Sequence, residues 1–273
     1  MAYQIAVLTI SYNSLELLKK AVASIQKQSF TNWIHIIVND GSVDDTADYL
    51  DELAQTSDQY IVKNLSQNAG IANARNHCLE LIPSGVEYVC ILDADDLARE
   101  DRLEKQLAFL AKHSELGVLG SNCVFIDDSG QQIGERAYPE SPANIEKSKL
   151  IENPFANSCV MYRWNIARNL RYSLEFPPCE DYDYWLSLLA KTKGANLPEA
   201  LVYYRISDKQ AVARNVRKML RLTVKIKLKH IFKSKDFSLS YLYRIAIELG
   251  LLMIPSKLVL KLARARQLGK KLV

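Results

Sequence analysis

Two hydrophobic periods alternate along the first half of the chain. Ile5 to Ser11 is a nearly continuous apolar run of strand length, and Leu17, Leu18, Ala21, Val22 and Ile25 then recur at helical spacing. The same alternation predicts strands at Ile34 to Val38, Tyr60 to Leu65, Tyr88 to Leu92 and Gly117 to Ile126. Between them it predicts helices at Thr46 to Ala54, Ile71 to Leu81 and Asp101 to Lys112. Repeated strand–helix units joined by short loops imply an α/β fold, a mostly parallel sheet flanked by helices. Ligands of such sheets sit at the carboxyl ends of the strands.

After a turn at Asp127 to Gly130 the pattern weakens through a Pro-containing stretch, Tyr138 to Pro154. A short strand near Ser158 to Tyr162, a helix from Asp181 to Lys191 and a strand from Leu201 to Arg205 follow. This half is too small for a core of its own and is expected to pack on the sheet edge. From Val212 to Phe232 there is no Gly or Pro, and Leu220, Val224, Leu228 and Ile231 share a helical face. Val224 to Lys229 also alternates strictly, which leaves a strand reading open; length favours a helix. Amphipathic segments at Leu239 to Ile254 and Lys257 to Leu268 close the chain.

Composition excludes wholesale disorder: of 273 residues 48% are hydrophobic and 24% charged, with 10 Gly and 8 Pro. The net charge of +4 conceals a division. Residues 1–208 carry 18 Lys and Arg against 29 Asp and Glu, a net −11, whereas residues 209–273 carry 17 against 2, a net +15. An acidic body suits a cation, and a basic tail suits an anionic surface. The five cysteines, odd in number and without a C-x-x-C pair, read as reduced thiols of a cytoplasmic protein. Met1 to Gln4 leads directly into a strand without a basic region, so no cleaved leader is expected. The longest apolar run, Ile245 to Ile254, is interrupted by Glu248 and falls short of the ~20 residues a spanning helix needs.

Acidic residues gather where strands end: Asn39-Asp40-Gly41-Ser42 after the second strand and Asp93-Ala94-Asp95-Asp96 after the fourth. Carboxylates crowded at one end of a sheet repel one another and suit a hard divalent cation, although Asp before Gly also makes turns and acids near a helix start also cap it. Val38-Asn-Asp-Gly-Ser-Val-Asp44-Asp-Thr46 resembles the V-D-D-G-S-x-D-x-T signature of family 2 glycosyltransferases of the GT-A fold, and Tyr12-Asn13 stands at that family's first-strand Y-N pair. Three further blocks follow in the family's order. Asn68 to Asn76 is similar to N-x-G-x-x-x-A-R-N, Asp93 to Asp96 to D-x-D-D, and Glu180-Asp181-Tyr182-Asp183-Tyr184-Trp185 to E-D-x-x-x-W. The resemblance spans about Gln4 to Ser207.

The resemblance implies a GT-A (Rossmann-like) domain over residues 1–207, with a nucleotide-binding half to about 127 and an acceptor-side half from about 128; charge and periodicity set off a basic helical extension over 208–273. It further implies that Tyr12 stacks on the nucleotide base, that Asp40 accepts the uracil imide proton, and that Gly70 and Arg75 flank the nucleotide. Asp93 then binds the ribose, and Asp95 binds the Mn2+ or Mg2+ that neutralises the diphosphate. Asp181 becomes the base that takes the acceptor proton in an inverting transfer. Asp96, Glu180, Trp185 and Arg205 are secondary: a cap, a neighbour that raises the base's pKa, an acceptor contact or packing residue, and a phosphate contact. The sequence departs from the pattern at Asn39, at Glu100 and at Ser207, which stands where the Y-R-x-H ending has histidine.

The expected activity is therefore transfer of a sugar from a nucleotide donor, UDP-linked, to a glycan or lipid-linked acceptor in cell-surface polysaccharide synthesis. A catalytically impaired nucleotide-sugar-binding protein of the same fold is the alternative. For the basic tail, contact with an anionic membrane at the inner face is favoured over docking on the body or oligomer contact, and both over nucleic acid.

Overall fold

The computed structural model describes residues 3–207, 216–231, 239–255 and 258–259. Strands β1 (Ile5–Ser11), β2 (Trp33–Asn39), β3 (Tyr60–Asn64) and β4 (Tyr88–Ile91) form a parallel group in the order β3-β2-β1-β4. Helices α1 (Leu15–Gln26), α2 (Thr46–Thr56) and α3 (Ile71–Glu80) make the crossovers. Side chains of a strand alternate between faces. Ile5 and Val7 accordingly enter one core layer with Leu18, Val22 and Leu50, while Ala6 and Leu8 enter the other with Ala72 and Cys78.

Beyond β4 the sheet is mixed, not parallel. The short β5 (Leu97–Ala98) leads to α4 (Arg102–Lys112), β6 (Leu116–Ile126), β7 (Gln132–Arg136), α5 (Pro142–Ser148), β8 (Met161–Arg163), α6 (Trp164–Ala167), α7 (Glu180–Leu189) and β9 (Lys193–Arg205). β8 lies antiparallel between β4 and β6; β6 pairs parallel with β9 and antiparallel with β7; β5 pairs antiparallel with β9. Parallel pairing therefore covers the first four strands and the long β6–β9 pair, while β5, β7 and β8 join the sheet antiparallel. The final strand, expected from Leu201, begins at Lys193.

The tail supplies α8 (Val216–Ile231) and α9 (Leu239–Leu251). The strand reading of Val224 to Lys229 does not hold: these residues are helical, with Val224, Ile226 and Lys227 buried. Leu222, Val224, Ile226 and Ile231 of α8 and Tyr241 and Ile245 of α9 share one apolar cluster with Leu150, Phe176, Tyr182 and Leu186 of the body. Lys229 and His230 reach the carboxylate of Asp183 at 2.8 Å. Of the tail's three expected segments these two dock on the body; the third, Lys257 to Leu268, lies almost wholly outside the described residues. All five cysteines are buried, free thiols. Among the described residues no helix is long and apolar enough to cross a membrane.

Candidate functional site

In a parallel sheet the loops after successive strands emerge at one edge, and here they are sewn together. Asp40 N donates to Ser11 O at 2.8 Å, Asn13 N to Ser42 Oγ at 2.9 Å and Val43 N to Asn13 Oδ1 at 2.9 Å. Asn13 takes a left-handed φ of 48°, which Asn tolerates better than most residues. Gly41 has φ 70°, and a Cβ there would lie 2.3 Å from the Gln67 carbonyl carbon. The loops after β2 and β3 therefore approach as closely as backbones can.

A cavity of about 1170 Å³ opens beside this edge. Tyr12, Arg75, Asp93, Asp95, Glu180, Asp181 and Arg205 all line it. Side chains separated by up to 193 positions, Tyr12 to Arg205, are thus brought to one space. A second depression, about 700 Å³ beside Lys20, Lys27 and Arg99, holds none of the candidate catalytic, nucleotide or metal residues.

Arg75 is the hub. Its guanidinium, 7% exposed, pairs with Asp93 at 2.9 Å and with Glu180 at 3.1 Å. Burial disfavours its charge, but these two carboxylates outweigh that and hold its pKa well above the ordinary value. Asp93 is fixed from the other side by Asn157 Nδ2, at 2.9 and 3.1 Å from its two oxygens. Asp181 opens α7 with Glu180 and accepts from Asn153 Nδ2 at 3.1 Å. Burial, then the neighbouring Glu180 carboxylate, pushes its pKa up to about 7. A base with such a pKa is half ionised at neutral pH, the range in which proton acceptance is most effective.

Other side chains stand further back. Asp40 is 4% exposed and turns its carboxylate onto the backbone N–H groups of Ala69 and Gly70, at 2.8 and 3.0 Å, so that neither it nor Gly70 lines the cavity. Asp96 is buried; it does not cap α4 but accepts from Arg205 N at 2.7 Å, and burial with the adjoining Asp95 and Asp93 raises its pKa well above the usual carboxylate range. Arg205 donates to Asp95 O at 3.0 Å and to Asp127 O, and so holds the Asp95–Asp96 turn in place. Trp185 is fully buried against Phe155, Tyr162 and Tyr184, a packing residue with no surface on the cavity. Tyr12 is half exposed. Sequence reasoning passed over Asn153 and Asn157, polar residues in an irregular stretch with no periodic signal, and the cavity-lining side chains of α8 and α9.

Among the described residues no group of three or more His, Cys, Asp and Glu stands ready to hold a metal. The donors that line the cavity beside Asp95 are hard oxygens, including Asp128, to which Ser207 Oγ donates at 3.1 Å. Oxygen donors of this kind fit Mn2+ or Mg2+, provided that a ligand's phosphates supply further positions.

A GT-A fold in which strand-end carboxylates share one cavity with the carboxylates that open α7 is the architecture of the nucleotide-sugar glycosyltransferases. Residues 6–170 match the family model described as Glycosyl transferase family 2, and the chain belongs to that family. It is 32% identical over 216 residues to the putative glycosyltransferase EpsE of Bacillus subtilis, covering 77% of this chain and 76% of EpsE. An uncharacterized glycosyltransferase of Haemophilus influenzae is 29% identical, with 76% of this chain and 66% of that protein covered. The Escherichia coli UDP-Glc:alpha-D-GlcNAc-diphosphoundecaprenol beta-1,3-glucosyltransferase WfgD is 24% identical over 80% of this chain and 83% of its own length. Of solved structures, Staphylococcus aureus TarS in complex with UDP-GlcNAc superposes with a TM-score of 0.68 at 19% identity, covering 90% of this chain and 71% of that one. The mannosyltransferase PcManGT of Pyrobaculum calidifontis, in complex with GDP-Man and Mn2+, gives 0.65 at 15% identity, with 97% and 80% covered.

Proposed function

We propose that this chain transfers a sugar, with inversion, from a UDP-linked donor to a hydroxyl of a glycan or lipid-linked acceptor in cell-surface polysaccharide synthesis. The observation that carries the reading is the convergence of Asp93, Asp95 and Asp181 on one cavity. The acceptor oxygen attacks the anomeric carbon, the bond to the diphosphate breaks, and the acceptor's proton passes to Asp181. Tyr12 offers its exposed ring to the nucleobase. Asp40, set back from the cavity, holds the loop beside the nucleobase through the N–H groups of Ala69 and Gly70. Asp93, preset by Arg75 and Asn157, binds the ribose. Asp95 would hold Mn2+ or Mg2+, which supplies charge neutralisation for the departing diphosphate. Named relatives support the setting: WfgD acts on a diphosphoundecaprenol-linked sugar, and TarS binds UDP-GlcNAc.

The setting also favours a peripheral position on an anionic membrane at its cytoplasmic face. The face of α9 turned away from the body exposes Leu239, Leu242, Tyr243 and Leu249, with Met253 beyond its end, and the tail around it is strongly basic.

A thermal-shift screen of UDP-, GDP- and dTDP-sugars with and without Mn2+ tests the reading, because a ligand specific to the folded state raises Tm by mass action. Stabilisation by a UDP-sugar, accompanied by turnover, is expected; stabilisation by none of them contradicts the reading, and binding without turnover points to the impaired-binder alternative.

A further inference from the structure

The donor roles leave one end of the cavity unused, and that end is built by the tail. Lys227 of α8 and Arg244 and Glu248 of α9 line it together with the body's Ile151 and Asn153. Lys227 is 1% exposed and Glu248 4%. Lys227 Nζ donates to Glu248 Oε1 at 2.6 Å and to Ile151 O at 2.9 Å. Arg244 Nε sits 3.3 Å from the same Glu248 oxygen without the alignment of a hydrogen bond, and Glu248 Oε2 is buried with no hydrogen-bond partner among the described residues.

Buried charges are retained at a desolvation cost, and a buried acceptor without a partner adds to it. Glu248 nevertheless lines the cavity, and the unfilled acceptor position on its Oε2 is one that a ligand's hydrogen-bond donor can complete. The chemistry of that oxygen selects its ligand: an acceptor without a partner takes a hydrogen-bond donor, such as a hydroxyl group. The position selects the ligand's role. Ile151, which holds Lys227, is two residues from Asn153, which holds Asp181, whereas Tyr12, Asp93 and Asp95 are the donor's residues.

We infer that α8 and α9 build the acceptor-sugar subsite, where Glu248 Oε2 accepts from one acceptor hydroxyl and the Arg244 guanidinium donates to another. The inference rests on the glycosyltransferase reading. It assigns the tail a part in substrate recognition in addition to its charge.

Photolabelling of the full chain tests it. Octyl β-glycosides of glucose, galactose and N-acetylglucosamine carrying a diazirine are irradiated with the protein in the presence of UDP, and labelled peptides are mapped by mass spectrometry. At least one probe is expected to label residues 151–153, 219–227 or 244–248, with the label competed by the untagged glycoside. Because removing one partner of a buried pair endangers folding, Glu248→Gln is accompanied by Thr223→Trp, which narrows the same wall and leaves the Lys227–Glu248 pair intact. Both variants should lose labelling about tenfold and keep wild-type affinity for UDP. Labels placed elsewhere, no label, or undiminished labelling of Thr223→Trp overturns the subsite while leaving the glycosyltransferase reading standing; a wild-type protein that binds no UDP overturns both.

Discussion

Arg75 Nε donates to Glu180 Oε1 at 3.1 Å and joins the helix after β3 to the first turn of α7, 105 residues later. The same guanidinium holds Asp93, so one side chain sets the spacing between the two halves of the site. Replacing Arg75 with Met leaves the Asp93 and Glu180 carboxylates near each other with no cation between them. Unfolding in urea should show a loss of about 3 kcal/mol, the usual cost of breaking a buried pair. Arg75 also lowers the Asp181 pKa, so the acid limb of the pH–activity profile should move to higher pH in this variant. An unchanged profile with unchanged stability contradicts the coupling.

Asp95 is the cavity-lining carboxylate assigned to the cation. In Asp95→Ala, the stabilisation that UDP gains on adding Mn2+ should vanish, while stabilisation by UDP alone persists through Tyr12 and Asp93. Thermal shifts with and without Mn2+ separate the two contributions. Equal Mn2+ dependence in wild type and variant rules Asp95 out as the ligand.

The first four strands and their helices were legible because continuous apolar runs and helical periodicity report on local structure directly. The directions of β6, β8 and β9 were not, because an apolar strand buried on both faces carries no mark of which neighbour it pairs with. β5, two residues long, gives no periodic signal at all. In the site, Asp93, Asp95 and Asp181 were picked out through the resemblance of their blocks to the family's motifs, and all three line one cavity. Trp185 sits in the same motif as Asp181 yet serves the core, since position on a helix does not reveal which face the neighbouring sheet covers. Nothing in the charge pattern of the tail marks Lys227 and Glu248 for burial; only the docking of α8 and α9 makes them buried.

Gly41 is required by geometry. Its φ of 70° and the 2.3 Å approach to Gln67 leave no room for a methyl group. Gly41→Ala should cost about 2 kcal/mol in chemical denaturation, within the range for strained backbone, and should weaken UDP binding by displacing the Asp40–Gly70 contact. Wild-type stability in this variant contradicts the close approach.

His35, fully buried in β2, should make stability fall in acid. The Thr9 hydroxyl donates to Leu92 O at 2.8 Å, so it accepts from His35 Nε2, and the ring is neutral with Nδ1 bare. Burial lowers its pKa from 6.5 to about 3. The unfolded chain therefore binds the extra proton first, and stability present above pH 6.5 is lost as pH falls toward 3, by up to about 1.4 kcal/mol per pH unit. His35→Leu should flatten the slope of unfolding free energy between pH 6 and pH 4; a slope identical to wild type contradicts the assignment.

Asp181 carries the opposite sign. Its folded pKa of about 7 lies above the ordinary 3.8, so the folded state holds the proton longer and stability declines as pH rises through that window. Asp181→Asn should therefore melt higher than wild type at pH 8. In the wild type, kcat/KM should fall tenfold per unit below pH 7, because the protonated carboxyl cannot accept the acceptor's proton.

The most direct measurement is a paired one on Asp181→Asn: calorimetric affinity for the donor identified in the sugar-nucleotide screen, and turnover of that donor onto its acceptor. The account predicts an affinity within about threefold of wild type and turnover reduced by ~10²-fold or more, the range for removal of a general base. Turnover within threefold of wild type, or loss of donor binding together with turnover, contradicts the placement of Asp181 on the acceptor side of the cavity.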